Sequence, residues 1–202
     1  MDKPLEEILK QKEYDSIREQ YLHWSSFMEQ EVEFQLKTSE LHTKEHCKRV
    51  LFFALLIGDI KHMSPDDLDA LCMAACFHDS RRYDDGYDVG HGQRAALYYK
   101  EYCNHHPLLI DKRAYYAMYY HDLDDKVGID RISSEGLFMD NGILIYQIFK
   151  DADALDRYRL GTDALDVKFL RNEEARNLID LAKKLNGIHE ELPNHIERGR
   201  FL

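Results

Sequence analysis

An all-α, single-domain fold is what this sequence predicts, and three observations predict it. The 202 residues include only 10 Gly and 4 Pro, few for a loop-rich or all-β chain. Apolar side chains recur at three- and four-residue spacing through most of the length, the period of amphipathic helices packed on a core. Strong helix starts punctuate that pattern, above all Ser64-Pro65-Asp66-Asp67. A chain of this length builds one large core, and 44% hydrophobic against 32% charged residues is a globular balance. We find no repeat, no low-complexity tract and no second domain.

Residues 3 to about 37 carry Leu5, Ile8, Leu9, Tyr14, Ile17, Tyr21, Trp24, Phe27, Met28 and Phe34 at helical spacing, with a break expected over 36–40. This segment reads as scaffold. A second helical unit runs from about 41 to 62; His42 and His46 share one face with Val50, Phe53, Ala54 and Ile57. A buried imidazole on so apolar a stripe needs a compensating partner, whereas His42 sits nearer the helix start, beside the site or in solvent. After Ser64 and Pro65, the residues Leu68, Leu71, Cys72, Ala75 and Cys76 make a buried stripe leading to His78-Asp79, and small side chains let this helix approach its neighbours closely.

Ser80 to Gly90 reads as a polar loop, and His91 opens a helix that continues from Gln93 to about Tyr102. Asn104-His105-His106-Pro107 reads as a surface loop, followed by a helix that ends at His121-Asp122. Residues 124–128 read as a solvated loop, and 129–140 carry no clear period. Asn141-Gly142 opens an apolar helix that delivers Lys150, Asp151, Asp153, Asp156 and Arg157. Three aspartates in so apolar a helix are costly unless a cation or Arg compensates them. Residues 173–185 form a last amphipathic helix, and Asn186 to Leu202 reads as a loosely attached tail.

The net charge of −11 argues against a broad nucleic-acid surface, yet leaves room for a small anionic ligand in a local pocket. No apolar run approaches the ~18 residues of a membrane span, and Met1-Asp2-Lys3-Pro4 lacks the apolar run of a signal peptide. Cys47, Cys72, Cys76 and Cys103 form no C-x-x-C pair and read as free thiols in a reducing cytoplasm.

Metal-ligating residue types gather in His42-x-x-x-His46-x-x-Arg49-Val50, Phe77-His78-Asp79, His91, His121 and Lys150-Asp151-Ala152-Asp153-Ala154-Leu155-Asp156. Together these stretches resemble the HD-domain superfamily over roughly residues 41–160. The resemblance implies a single HD-like helical bundle across 1–202, with helices 1–40 and a C-terminal helix and tail, 161–202, packed on the motif-bearing core. It makes His46, His78, Asp79 and Asp153 the primary metal ligands, Asp153 rather than Asp151 matching the family's position. His91 and His121 resemble the additional histidines of members holding two metals, with Asp79 as the bridge. In this chain His121 is followed by Asp122, not by a second histidine.

The activity implied is metal-dependent hydrolysis of a phosphate ester, mono- or diester, commonly of a nucleotide, using one or two divalent ions (Mn, Fe, Co, Ni, Zn or Mg). Asp79, His91 and His121 are then the catalytic candidates, the imidazoles as proton donors to the leaving oxygen. Arg81, Arg82, Arg94 and Lys150 are the candidates for holding phosphate. Two alternatives use the same residues: a di-iron oxygenase, which needs both His91 and His121 on metal, and a non-catalytic metal-stapled module, which needs a closed site. A homo-oligomer is compatible with the sequence.

Overall fold

In the computed structural model, which describes residues 3–39, 41–137 and 139–188, the chain is all-helical, with no strand among the described residues. The helices are α1 (Lys3–Leu9), α2 (Asp15–Glu31), α3 (Lys44–Ile60), α4 (Pro65–Phe77), α5 (His91–His105), α6 (Lys112–Tyr119), α7 (Asp125–Ser134), α8 (Gly142–Leu155), α9 (Glu173–Arg176) and α10 (Ile179–Leu185). Among the described residues none is long and apolar enough to cross a membrane.

The centre of the bundle is α3, which packs on α2, α4 and α8. Every side from His46 to Gly58 is buried, so its polar residues must be matched internally. Lys48 pairs with Glu29, and Arg49 with Asp156. Thr43 caps the helix by accepting the His46 N–H at 3.3 Å. Ser64 does the same for α4 from Asp67 N–H, with Pro65 at the first helical position. The fully buried Ala70, Ala74 and Ala75 leave little bulk on α4, which lies against α3, α6 and α8. Cys47, Cys72 and Cys76 are buried free thiols and Cys103 is a half-buried one.

Several boundaries differ from the sequence reading. The break expected at 36–40 comes earlier: α2 ends at Glu31, and Lys44 reaches back to the carbonyl oxygens of Met28 and Glu29. Helix α5 runs through His105, and the exposed His106 ring stacks on Tyr102 with centroids 4.0 Å apart. The stretch expected as loop from Asp124 is the start of α7, because Asp124 caps it by accepting Lys126 N–H at 2.9 Å. Gly128 is tolerated inside α7 because the Tyr146 ring of α8 occupies the space a Cβ would need. The last helix is two short ones, α9 ending in a tightened turn in which Leu178 N–H bonds the Ala175 carbonyl. Residues 189–202 of the expected tail lie outside the described residues; Asn186, expected as loosely attached, instead donates to Asp156 Oδ1 at 3.1 Å.

The second polar network locks the C-terminal segment onto α8. Asp151, fully buried, accepts from the backbone N–H groups of Arg171 and Asn172 and from both their side chains. Arg171 also makes a two-pronged pair with Asp125, which binds Lys150 at 2.7 Å. Despite partial burial, the hydrogen bonds from Arg171 and Lys150 hold the Asp125 carboxyl down at about 2. Because the folded state favours its ionised form, its stabilising effect is complete above the ordinary carboxyl value of about 4 and is lost as pH falls toward 2. The difference in Tm between the parent and Asp125→Asn should therefore be largest near neutrality and shrink over that acid window. A difference that is constant with pH would show that the charge of Asp125 contributes nothing.

Candidate metal centre

The ends of five helices converge on the site. His46 comes from the first turn of α3, His78 caps the C-terminus of α4, and Asp79 follows it. His91 begins α5, His121 lies just past α6, and Asp153 sits in the last turn of α8. The α5–α6 approach depends on Gly92: a Cβ there would overlap the Met118 carbonyl oxygen and stand 2.7 Å from His121 Nδ1.

All six sequence-derived ligand candidates are brought together. His46 Nε2 lies 3.2 Å from His78 Nε2, 3.2 Å from Asp153 Oδ1 and 3.6 Å from Asp79 Oδ2. His91 Nε2 lies 2.9 Å from His121 Nε2 and 3.3 Å from Asp79 Oδ1. Two groups therefore can each hold a metal ion, His46-His78-Asp79 and Asp79-His91-His121, and Asp79 belongs to both, one oxygen facing each.

The imidazoles are oriented by their other nitrogens. His78 Nδ1 donates to the Ala75 carbonyl, His91 Nδ1 to Asp88 and His121 Nδ1 to Met118, at 2.9, 2.6 and 2.7 Å. A carbonyl only accepts, so each Nδ1 carries the proton and each Nε2 presents its lone pair inward, the tautomer a metal requires. His46 Nδ1 donates to Asp156 Oδ2 at 2.7 Å, and Arg49 holds that carboxylate on both oxygens. Lone pairs facing at 2.9 and 3.2 Å repel unless a cation or a proton lies between them. The donor set, neutral nitrogens with two carboxylates, suits a first-row divalent ion.

Burial sets the charge states. It pushes the His78 ring down to about 3, so that histidine stays neutral. Burial also lowers His121, helped by the charge of His91. Burial alone would raise Asp79, but the histidines around it, with His42 donating to Oδ2 at 2.7 Å, hold its carboxyl well below the usual carboxylate range. Burial opposes a proton on His46, yet Asp153 and Asp156 prevail and raise it, so protons compete with a cation for this ring as pH falls.

The phosphate candidates are distributed differently. Arg82 faces the centre, with Nη1 3.2 Å from His91 Nε2 and 3.6 Å from Asp79 Oδ1. Arg81 turns outward, stacked on Tyr98 and bonded to the Glu33 carbonyl. Arg94 is paired with Asp88 and stacked on Tyr83, and Lys150 is held by Asp125 and the Leu123 carbonyl. A cavity of about 440 Å³ opens over Asp79, His91, His121 and Asp153, and its walls include Arg82, Arg157, Arg159 and the loop from Asp85 to Val89.

Sequence reasoning did not assign Arg157 and Arg159 to the cavity, nor Asp156 to His46 or His42 to Asp79. His42 Nδ1 lies 2.7 Å from Asp79 Oδ2. The signal for Asp156 was present, since Arg49 stands one turn after His46 and needs an anion. For Arg159 the order Asp156-Arg157-Tyr158-Arg159 gave no period, because α8 gives way there to a 3-10 turn.

Two outcomes follow. Asp79→Ala should abolish metal binding by calorimetry while circular dichroism stays helical; wild-type metal content would overturn the shared-ligand assignment. Asp156→Ala breaks the buried ion pair with Arg49, which costs about 3–5 kcal/mol in chemical unfolding, and removes the support of His46, which weakens metal binding roughly 10–100-fold. Unchanged affinity would show that His46 needs no support. No family model, no curated protein and no solved structure matches this chain, so the assignment of the centre rests on its own geometry.

Proposed function

We propose that the protein is a metal-dependent phosphohydrolase acting on a small phosphate ester. The observation that carries this reading is the coincidence of two His/Asp groups sharing Asp79 with three arginines around one open cavity. The motif resemblance to the HD-domain superfamily points the same way. A divalent cation held by these residues supplies an activated water and offsets charge on the phosphoryl oxygens.

The chain's own part is binding, orientation and proton control. Arg82, Arg157 and Arg159 give the cavity the positive charge an anionic ester needs. Arg82, bonded to the Gly86 carbonyl at 2.6 Å, is already fixed in its approach. His91 and His121 each have a single inward nitrogen, Nε2, because Nδ1 is committed to a carbonyl. Each ring therefore serves either as a metal ligand or as a proton donor to the leaving oxygen, not both at once. With one cation on His46, His78, Asp79 and Asp153, the proton belongs on His91, which Asp79 raises against the effect of burial. With two cations both rings are ligands.

The placement of His91 and His121 against Asp79 also meets the requirement of a di-iron oxygenase. The arginine-lined cavity favours phosphate, and the visible spectrum of aerobically purified protein separates the two. The metal-stapled alternative needs a closed site, and this one opens on a cavity.

Arg82→Lys keeps the charge but loses the fork, and should lower kcat/KM for phosphate-ester hydrolysis at least about tenfold with metal content unchanged. Arg81→Lys, on the outward face, should leave turnover near wild type. Equal effects from both would remove Arg82 from the phosphate site.

A further inference from the structure

We infer that the substrate is a phosphodiester, with organic groups accommodated on both sides of the metal centre. This rests on the phosphohydrolase reading and narrows it. The large cavity is not the only space at the centre: a second, of about 280 Å³, also has His121, Asp153 and Arg157 in its walls. The metal centre thus stands at the seam between two chambers rather than at the bottom of one.

Exposure agrees with that arrangement. The side chains of His46, His78, Asp79 and His91 are at most 9% exposed, whereas Asp153 is 32% exposed. Asp153 and His121 are the ligand candidates that both chambers reach, and of the two Asp153 is the more exposed. Arg157 stands beside it; its Nε donates to the Ala164 carbonyl at 2.9 Å, and its two Nη nitrogens have no partner among the described residues. A guanidinium with a free edge at the seam is placed to hold a non-bridging phosphoryl oxygen.

Each chamber continues into apolar surface. On the first side this is Tyr87, Val89 and Leu160, and on the second Ala164, Leu165 and Phe169. Tyr87 and Phe169 are exposed, so each chamber has an aromatic face on which a planar group can stack. Cationic groups in the second chamber are largely cancelled: Lys150 and Arg171 are paired with Asp125 and Asp151. It is therefore suited to an uncharged alcohol portion, not to a second phosphate. A monoester presents one organic group and needs one chamber; a diester needs both. The chamber sizes assign the larger group to the first and a smaller one to the second.

The reaction is hydrolysis of one ester bond. Water forms a new bond from its oxygen to phosphorus, and the bond from phosphorus to the leaving oxygen breaks with its electron pair on that oxygen. One water hydrogen ends on the departing alcohol and the other on the phosphomonoester, so no further reactant is required.

The test compares bis(p-nitrophenyl) phosphate with p-nitrophenyl phosphate on the Mn²⁺-loaded protein. Diester kcat/KM should exceed monoester kcat/KM by about tenfold or more, and Phe169→Ala and Ala164→Trp, which strip or fill the second chamber, should each reduce that ratio by about tenfold. Phe169 is 61% exposed, so its truncation leaves the fold intact. Preference for the monoester, or a ratio unmoved by both variants, overturns the diester assignment and leaves the phosphohydrolase standing. Hydrolysis of neither ester overturns both.

Discussion

Everything in the site depends on the Asp79 carboxylate being buried and yet ionised. Alone, a carboxylate at that depth would take a proton. Here one oxygen faces the His46–His78 pair and the other the His91–His121 pair, while His42 donates to it from the rim. The helix ends that carry these histidines come from α3, α4, α5 and α6, so one side chain ties together elements distant in sequence. Those elements pay for the convergence with small residues, Gly92 where α5 meets α6 and the alanines along α4.

Behind the inward-facing atoms lies a layer that holds them still. Three of the four imidazoles are fixed by backbone carbonyls of their own or the preceding turn, a local arrangement that helix geometry supplies. The fourth, His46, depends on a long-range partner: Asp156, itself clamped by Arg49 and Asn186. That clamp connects α3 to the end of α8 and to the C-terminal segment. It joins the scaffold and the centre in one polar network, in which Asp156 is paired on both oxygens and for that reason tolerable in the core.

How much of this was legible in the sequence follows from which interactions are local. The all-α class, the Ser64-Pro65 start and the placing of His and Asp types at helix ends could be read from period and residue type, because helix faces and ends repeat at short range; the choice of Asp153 over the neighbouring Asp151 came only from the motif resemblance. The α7 start was missed because Asp124 is one of several acidic and turn residues in that run, and its capping role shows only from the Lys126 N–H it accepts. The break between α9 and α10 depends on a tightened turn that residue period does not register. Arg81 and Arg82 are neighbours of equal charge, and only the fold separates them: Tyr98 of α5 takes the first outward, while the second turns in toward His91. Arg157 and Arg159 enter the cavity through the 3-10 turn after α8, whose departure from helical spacing hides which way they point.

The most direct measurement is metal stoichiometry in the unsubstituted chain. The metal-free protein titrated with Mn²⁺ under anaerobic conditions should bind two ions per chain, and electron paramagnetic resonance should show them magnetically coupled through one shared carboxylate. Two uncoupled ions, a single ion, or none would contradict the account of Asp79 as the bridge on which the centre is built.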